Sequence, residues 1–461
     1  MPILQSDKKL LRMKRDRKRI AIILPDGRIH RINVWPFTTS FREAPLTATI
    51  LAALVPEDLP IDVVIRDESV GQSPYVHDVD LVGISVLTGT AYRAYEIARY
   101  YRQRGVKVVL GGVHVTLLPE EAAQHADSIV IGFAEETWPE LLRDFIHGRL
   151  QPRYVENKAT NKFCGIPMAR RDLQKRFGYL APNTVSATRG CKAKCKFCAV
   201  PAANFGWQTR PIPEVIDEIK SMNARRIVFN DVSMGEDLLY FKELLHALIP
   251  LNIKWGGLAS TKVFRDPEIP ELLQKSGCSY LLIGFESVRS NSLKDIQKQF
   301  NKIENYQYII QQLRNIDVIL MGTFIFGVDS DDEHVFEETV DFVLTNGIDI
   351  PRYAIVTPYP KTPLFEELKS QNRILHEYWP HYDTQHVVFE PARMSPEQLD
   401  RGFRWAYRET FRVGHILRRM RGRGKNLLIT LAGNLAYRIY LRRLFRDIDR
   451  IRRPQHTVAL S

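Results

Sequence analysis

The sequence predicts an α/β protein with two successive series of parallel strands and a helical C-terminal part. Over most of the chain, short apolar runs of strand length alternate with helical patterns, which is typical of parallel sheets with crossover helices. The alternation is interrupted once, in residues 151–182, where prolines recur with little periodicity. Beyond residue 370 the hydrophobic pattern is mostly helical.

Residues 1–18 are predicted to be a basic N-terminal tail, and residues 19–150 form the first series. Its apolar strand-length runs predict a doubly wound parallel sheet. Ligands of such sheets bind beyond the carboxyl ends of the strands. The residues that follow these predicted strands, and therefore the candidate binding residues, include Ser85, Leu87, Gly111, Gly112 and Gly132.

Residues 151–182 are predicted to be a linker, and residues 183–370 contain six further βα units. Six units predict a partial (β/α)6 barrel and not a closed eightfold one, with its active site at the carboxyl ends of the strands. Residues 371–461 are predicted to be a helical extension. Within it, Ser395-Pro396-Glu397-Gln398 has the pattern of a helix start, with a capping serine and a proline at the first helical position.

The triad Cys191, Cys195 and Cys198 has the spacing C-x3-C-x2-C directly after a predicted strand. Thiolates are the soft ligands that iron–sulfur clusters require, and one compact loop can present three of them to a cube of iron and sulfur. One of the four irons would then lack a protein ligand and stay open to another molecule. We therefore predict a [4Fe–4S] cluster in a reducing compartment, since the chain has only five cysteines.

Basic residues surround the cysteines, and we expect them to lower the pKa of the thiols and to offset the charge of a cluster. They are Arg189, Lys192, Lys194 and Lys196. The alternative is a structural zinc site, which would need a fourth ligand. Cys164 and Cys278 are available, but neither forms a second close pair with another cysteine.

The cysteine loop, with the aromatic Phe197 just before the third cysteine, resembles the motif of the radical SAM superfamily. The resemblance covers about residues 183–370. It implies that the open iron binds the amino and carboxylate groups of S-adenosylmethionine (SAM). It also implies that an electron from the cluster splits the sulfonium bond to give a 5′-deoxyadenosyl radical. A one-electron reductant such as flavodoxin or ferredoxin is an implied partner.

Later segments resemble the SAM-binding elements of that family and occur in the same order. Residues 229–232 resemble the segment at the SAM amino group but lack its glycine-rich form, residues 284–287 resemble the ribose segment, and residues 322–327 resemble the adenine segment. For each segment alone, an ordinary βα turn is the alternative. The resemblance implies SAM contacts from Phe197, Asn230, Asp231, Glu286, Ser287, Gly322 and Gly327.

Residues 19–150 resemble the cobalamin-binding domain that precedes many radical SAM cores. One departure matters: Asp67-Glu68-Ser69-Val70-Gly71 lacks the histidine that ligates cobalt in the Asp-x-His-x-x-Gly motif. Cobalamin would then bind without a protein histidine on its lower face. A domain that keeps this fold but has lost the cofactor is the alternative. The resemblance implies cobalamin contacts from Ser85, Leu87, Gly111, Gly112, His114, Gly132 and Glu135.

The C-terminal part resembles an extension found in a subgroup that includes the hopanoid C-2 methylase. Between Arg412 and Arg453 it has 13 basic residues against two acids, which accounts for nearly all of the net charge of +12. Leucines and arginines interleave there, as in an amphipathic helix on an anionic membrane. The alternatives are a solvated helical face and RNA binding. We rank RNA lower because no RNA-binding module is visible.

Together these features predict a cobalamin-dependent radical SAM enzyme, with a C-methyltransferase acting on an unactivated carbon as the preferred activity. The extension favours a lipid or isoprenoid-like substrate. The alternatives are a ring-forming or oxidative radical SAM enzyme without methyl transfer, and an RNA-modifying enzyme. The expected location is the cytoplasm, with peripheral contact at the inner face of the membrane. No residue can be assigned a catalytic role from the sequence.

Overall fold

The computed structural model describes residues 17–27, 31–34, 37–175 and 177–450. The chain forms two compact units, and each is described separately. The first consists of Met1–Phe41 and Pro45–Leu180, and the second of Arg42–Ala44 and Ala181–Ser461. Nearly all of the basic N-terminal tail predicted at residues 1–18 lies outside the described residues.

The first unit alternates strands and helices along the chain. Its elements are β1 (Lys18–Leu24), β2 (Arg31–Val34), β3 (Phe37–Glu43), α1 (Thr47–Ala53), β4 (Ile61–Asp67), β5 (Leu81–Ser85), α2 (Ala91–Arg102), β6 (Lys107–Gly111), α3 (Val113–Leu117), α4 (Pro119–Ala123), β7 (Ser128–Ile131), α5 (Thr137–Ile146), β8 (Arg153–Val155) and β9 (Tyr179–Ala181).

Six of these strands form one parallel sheet in the order β4-β1-β5-β6-β7-β8. The order reverses between β1 and β5, so the predicted doubly wound sheet is confirmed and its switch point lies there. Ile20 and Ile22 of β1 are fully buried, because helices cover both faces of such a sheet. Trp138 of α5 packs over Gly83 of β5, where a Cβ atom would lie 3.0 Å from its ring.

Two parts of this unit differ from the sequence-based expectation. The segment 151–182, which we expected to be a linker, contributes β8 to the edge of the parallel sheet. Residues 31–34 and 37–43 form the antiparallel pair β2–β3, which we did not predict. Polar residues interrupt the apolar ones in this part of the sequence, so it carries no strong strand signal.

The second unit contains the remaining strands and helices. They are β10 (Thr184–Val185), β11 (Thr188–Gly190), α6 (Ala199–Ala202), β12 (Trp207–Thr209), α7 (Ile212–Ser221), β13 (Arg226–Phe229), α8 (Leu238–Leu248), β14 (Lys254–Ala259), α9 (Ile269–Lys275), β15 (Cys278–Glu286), α10 (Ser290–Asp295), α11 (Tyr306–Asn315), β16 (Ile319–Phe326), α12 (Val335–Asn346), β17 (Ile350–Ile355), α13 (Pro363–Ser370), α14 (Pro396–Thr410), α15 (Val413–Met420) and α16 (Leu427–Arg450).

Six parallel strands of this unit follow one another in the order β10-β13-β14-β15-β16-β17. The sheet has two free edges, β10 and β17, as the predicted partial barrel requires. Helices follow the strands and pack on the outer face, where Phe285, Phe324 and Phe326 are fully buried. The carboxyl ends of all six strands meet at one end of the sheet, and the cysteine loop follows β11 at that end.

The extension packs along β17. Helix α14 begins as predicted: Ser395 and Gln398 form a reciprocal capping box and Pro396 occupies the first helical position. The hydroxyl of Tyr407 in α14 accepts from the Tyr353 amide at 2.9 Å and donates to the Tyr353 carbonyl at 2.7 Å. The Tyr407 side chain thus satisfies the amide and the carbonyl of Tyr353, which face away from the neighbouring strand at this edge of the sheet.

Helix α16 is divided into an inner and an outer face. Leu441, Leu444 and Phe445 belong to the segment in which leucines and arginines interleave and which we expected to lie on a membrane, but they are buried within the unit. They are therefore part of the core. Among the described helices, none is long and apolar enough to cross a membrane.

Candidate active site

The loop that carries the three cysteines is anchored by the antiparallel pair β11–β12. Its first residue is fixed by a hydrogen bond of 2.9 Å from the Cys191 amide to the Gly206 carbonyl. Gly190 has a φ of +74°, and a Cβ atom there would overlap the backbone of Gly206. Only glycine can therefore begin this loop.

Asp231, at the carboxyl end of β13, ties this region to the barrel. One of its carboxylate oxygens accepts from the Ala187 amide at 3.1 Å and from the Thr188 hydroxyl at 2.6 Å. Burial raises the pKa of Asp231 to about 6, and its hydrogen bonds with Thr188 and Ala187 oppose that rise. The carboxylate is fully engaged with the strand that leads into the cysteine loop, so its side chain positions that loop instead of facing a ligand. Its neighbour Asn230 is exposed.

The thiols are less acidic than we expected. Burial raises the pKa of Cys191 and of Cys195 to about 11 and also raises the pKa of Cys198. The prediction that the lysines of the loop lower these pKa values was wrong. Lys192 lies over the Trp207 ring at 4.2 Å, and Lys196 pairs with Glu367, so both are directed elsewhere.

Two cations that act on the thiols come instead from the segment that follows β14 and from the loop that follows α10. Lys262 and Lys298 both lower the pKa of Cys195, against the larger effect of burial. Lys262 pairs with the buried carboxylate of Glu236 at 3.2 Å, and the other oxygen of Glu236 lies 3.6 Å from the sulfur of Cys191. No motif in the sequence marks Lys262 or Lys298, and neither was predicted. Lys262 lies just after β14, at the barrel end that carries the cysteine loop, and this position is the signal that could have found it.

Glu286 ends β15 and forms a buried ion pair with Lys298. Its φ of +66° is unusual for a residue other than glycine. Burial alone would lower the pKa of Lys298, but Glu286, Cys195 and Cys191 raise it overall. The structure therefore brings the predicted SAM residue Glu286 next to the cysteine loop. Ser287 is buried beside it, and its hydroxyl accepts from the Arg289 amide at 3.1 Å.

The remaining predicted SAM residues have separate surroundings. Phe197 is half-buried within the loop. Gly322 lies on the outer face of β16, where a Cβ atom would approach Ile348 to 3.0 Å, so helix packing explains this glycine. Gly327, with a φ of +94°, donates from its amide to the Asp331 carboxylate at 3.0 Å beyond the carboxyl end of β16.

The donor set fits a [4Fe–4S] cluster better than a zinc ion. Among the described residues, no three His, Cys, Asp or Glu side chains converge on one metal ion, whereas the three thiolates of a cluster bind three different irons. Cys278 begins β15 and Glu286 ends it, so eight residues of extended strand, about 26 Å, separate Cys278 from the cysteine loop. Cys278 is therefore too far away to supply a fourth ligand.

In the first unit, the predicted corrin contacts cluster beyond the carboxyl ends of β5, β6 and β7. Ser85 and Gly111 are partners in the register of β5 and β6. Gly112 has a φ of +105°, and a Cβ atom there would lie 2.8 Å from the Val86 carbonyl oxygen. Leu87 is 49% exposed. This end of the sheet therefore offers the backbone of Gly111 and Gly112, the Ser85 hydroxyl and the exposed Leu87 side chain. Together these groups fit the edge of a large flat cofactor.

The other predicted corrin residues differ in how directly they face this end of the sheet. Gly132, with a φ of +89°, and Glu135 follow β7. His114 is fully buried, with its ring nitrogens 3.3 Å from the Thr88 hydroxyl and 3.2 Å from the Tyr95 hydroxyl. Its ring supports the loop from inside the domain. The segment Asp67-Glu68-Ser69-Val70-Gly71 at the end of β4 has no histidine, and Asp67 accepts from the Ser69 amide at 2.8 Å. His77, later in the same loop, is exposed.

Comparison with known families gives two matches along the chain. The profile of the Radical SAM superfamily matches residues 185–343, and that of the B12 binding domain matches residues 19–142. These ranges cover the cysteine loop with four of the six parallel strands of the second unit, and most of the doubly wound sheet of the first.

Three characterised relatives align over most of the chain. Two are from Chlorobaculum tepidum. Bacteriochlorophyllide d C-12(1)-methyltransferase is 33% identical over 83% of this chain and 86% of its own length. Bacteriochlorophyllide d C-8(2)-methyltransferase is 31% identical over 82% of this chain and 87% of its own length. The hopanoid C-2 methylase of Rhodopseudomonas palustris is 20% identical over 72% of this chain and 66% of its own length.

Two solved structures share the fold. The cobalamin-dependent SAM radical enzyme OxsB, with aqua-cobalamin and SAM bound, matches with a TM-score of 0.65 at 15% identity over 92% of this chain and 72% of its own. The radical SAM methyltransferase TsrM from Kitasatospora setae, with cobalamin and a [4Fe–4S] cluster bound, matches with a TM-score of 0.60 at 16% identity. The match covers 77% of this chain and 75% of TsrM.

Proposed function

The chain belongs to the radical SAM enzymes that carry a cobalamin-binding domain, and from this premise we propose that it methylates an unactivated carbon of a tetrapyrrole. Its cofactors are a [4Fe–4S] cluster, SAM and cobalamin. The observation that carries the substrate proposal is the 33% identity to a bacteriochlorophyllide methyltransferase, which extends over 83% of this chain. When bound, the cluster supplies the electron that cleaves SAM, and cobalamin supplies a methyl group.

In this proposal Cys191, Cys195 and Cys198 are the three ligands of the cluster. Their raised thiol pKa values mean that binding of iron must displace the protons. Glu236 and Lys262 would hold the loop, since Glu236 contacts the Cys191 sulfur and pairs with Lys262.

The predicted SAM residues would act from the carboxyl ends of the barrel strands. Glu286 would orient the ribose, as the resemblance implies, and Phe197 would shield the open iron from water. Asn230 is exposed and free to meet the amino group, whereas Asp231 would position the strand before the loop. Gly327 would contact SAM through its backbone. Gly322, on the outer face, would affect SAM only through packing.

Ser85, Leu87, Gly111, Gly112, Gly132 and Glu135 are the proposed cobalamin contacts in the first unit. Ser85 offers a hydroxyl, and the glycines allow a close approach to the backbone. His114 would contribute by holding the loop after β6. Because Asp67-Glu68-Ser69-Val70-Gly71 lacks the histidine of the Asp-x-His-x-x-Gly motif, we propose that no protein histidine ligates cobalt from this segment.

Product analysis tests the proposed reaction. Reconstituted enzyme, SAM, a flavodoxin reducing system and bacteriochlorophyllide d should give a product that is heavier by one methylene, about 14 mass units, together with 5′-deoxyadenosine. SAM labelled with deuterium in its methyl group should transfer the label. A product without added mass would instead support ring formation or oxidation, which is the alternative activity. Formation of 5′-deoxyadenosine without any change in the tetrapyrrole would contradict the proposed substrate.

The lipid substrate that we predicted from the sequence stays a second candidate because of the similarity to the hopanoid methylase. The same assay with a hopanoid such as diploptene discriminates the two. Methylation of the hopanoid but not of the tetrapyrrole would support the lipid substrate and contradict the tetrapyrrole substrate.

We also propose that the outer face of α16 rests on an anionic lipid surface. Leu428, Leu435 and Ile439 lie on one side of the helix and are 79%, 40% and 56% exposed. At helical spacing, Arg442 and Arg446 continue the same side, and both are exposed. An apolar stripe followed by arginines complements a membrane with acyl chains and phosphates. Such contact would bring the enzyme to an apolar substrate.

Vesicle co-sedimentation tests this contact. Wild-type protein should sediment with phosphatidylglycerol vesicles and much less with phosphatidylcholine vesicles. The double substitution Leu428→Glu and Ile439→Glu should reduce binding at least tenfold. Leu239→Glu is the control, because Leu239 is 69% exposed but belongs to α8, which is far from α16 in the sequence. Equal binding of all variants, or preferred binding of added tRNA, would contradict the proposal.

A further inference from the structure

Arg352 lies on the interior face of β17, the last strand of the partial barrel. Along this strand Pro351, Tyr353 and Ile355 are buried. The ring of Tyr353 packs in the outer layer, 5.3 Å from that of Phe326, and its hydroxyl lies 2.7 Å from the hydroxyl of Thr410 in α14. Because successive side chains of a strand point to opposite faces, Arg352 points to the inside of the barrel.

The strand register places Arg352 at the level of the cysteine-loop machinery. Gly284 of β15 pairs with Thr323 of β16, and Thr323 pairs with Arg352. The three residues therefore form one row, and two strand spacings, about 10 Å, separate the Cα atoms of Gly284 and Arg352. A Cβ atom on Gly284 would lie 2.9 Å from Nζ of Lys298. Arg352 and Lys298 thus flank the same stretch of the interior.

The walls between them are mainly apolar. The apolar side chains at the interior positions of the neighbouring strands are only half-buried, so part of their surface is accessible. They are Leu258, Leu282, Ile319, Met321 and Ile350. Such a surface suits a largely hydrophobic molecule.

Arg352 is the cation of this interior without a direct partner: it forms no hydrogen bond or salt bridge with any described residue. Burial opposes its charge, but the phenols of Tyr437, Tyr407 and Tyr440 and the carboxylate of Glu43 raise its pKa overall. The Arg423 guanidinium in the same unit shows the contrast, because it is paired with the buried Asp349. Arg352 is half-buried, and its guanidinium donors are therefore available to a bound anion.

We propose that Arg352 binds a carboxylate of an otherwise apolar substrate inside the partial barrel. A guanidinium matches a carboxylate with two parallel hydrogen bonds. Anchoring the acidic end at β17 would direct the rest of the molecule towards the end of the barrel that carries the cysteine loop. This inference rests on the proposed function, because it takes the interior of the barrel as the substrate site. It adds the requirement that the substrate is an acid.

Binding to the reconstituted holoenzyme tests this requirement with two pairs of probes. The first pair is bacteriochlorophyllide d and its methyl ester, followed by absorbance. The second is cis-parinaric acid and its methyl ester, followed by fluorescence. Arg352→Met should weaken the binding of a recognised acid at least tenfold and leave its ester unchanged. Arg352→Lys should recover part of the loss, and Arg401→Met, at an exposed position of α14, should have no effect.

The outcomes separate the two proposals. If the tetrapyrrole acid binds in an Arg352-dependent way, both are supported. If only the fatty acid does so, the carboxylate site stands and the tetrapyrrole substrate fails. If acid and ester bind equally, or if no acid binding depends on Arg352, the carboxylate site is overturned, whatever the products of the enzyme prove to be.

Discussion

The ammonium group of Lys298 donates a hydrogen bond to the carboxylate of Glu286, and this buried pair lies beside Cys195. Gly284 makes room for the pair, since a Cβ atom at that position would overlap both side chains. The positive charge of Lys298 and the negative charge of Glu286 both lie next to the proposed cluster, so a change in either one should change how readily the cluster accepts an electron. Net charge near an iron–sulfur cluster is one of the factors that determine its reduction potential.

Removing the positive member of the pair should make the cluster harder to reduce. In Lys298→Met the carboxylate of Glu286 is left without its cation, and a negative charge opposes the arrival of an electron. An interaction of roughly 1–2 kcal/mol, for an effective dielectric constant of about 20, corresponds to a shift of about 50–100 mV to lower potential. Redox titration monitored by electron paramagnetic resonance measures this shift directly.

Glu286→Gln should shift the potential in the opposite direction, and the double variant should lie between the two. Iron and sulfide contents serve as the control for cluster assembly in each variant. If both single variants keep the wild-type potential with full clusters, the pair has only a structural role. That result would refute the electrostatic interpretation.

The sequence was sufficient for features that depend on local patterns. Apolar runs located nearly every parallel strand, and the spacing of Cys191, Cys195 and Cys198 located the loop. The sequence was not sufficient for Lys262 and Lys298, because no local pattern pairs them with Glu236 and Glu286, which lie 26 and 12 residues away. Burial likewise reversed the expected direction of the thiol pKa values, and burial depends on tertiary packing.

Asp231 should be needed to build the cysteine loop correctly. In Asp231→Ala the amides of Ala187 and Thr188 lose their buried acceptor, which should cost about 1–3 kcal/mol of the free energy of unfolding. The altered strand should also reduce the iron content after reconstitution. Urea unfolding and iron analysis measure the two effects. Asp217→Ala, an exposed position of α7, is the matched control, and equal iron content in both variants would contradict this role.

Gly112 should be essential for the end of the first sheet that is proposed to hold cobalamin. An alanine there would meet the Val86 carbonyl oxygen at 2.8 Å with a φ of +105°, a backbone conformation that glycine tolerates and alanine does not. We expect Gly112→Ala to lose most of its bound cobalamin, as measured by absorbance after gel filtration. Gly105→Ala, at φ +70° with open space around it, should keep its cobalamin. Equal loss in both variants would show that backbone strain alone explains the effect.

Asp331 should make the stability of the second unit depend on pH. Burial raises its pKa to about 6, although Ser292 and the amides of Gly327 and Val328 lower it. Because the folded pKa exceeds the unfolded value of about 3.9, its stabilising contribution is complete below pH 4 and is lost as the pH rises through about 6.

Asp331→Asn should remove this dependence, because asparagine does not ionise and its amide can still accept from Gly327 and bond to Ser292. Between pH 4 and pH 7, the free energy of unfolding of this variant should rise relative to wild type by on the order of 2 kcal/mol. Urea unfolding of the anaerobic, cluster-free protein at several pH values measures the difference. Asp341→Asn, at an exposed position of α12, should show none. A constant difference between Asp331→Asn and wild type across this range would mean that Asp331 does not titrate there.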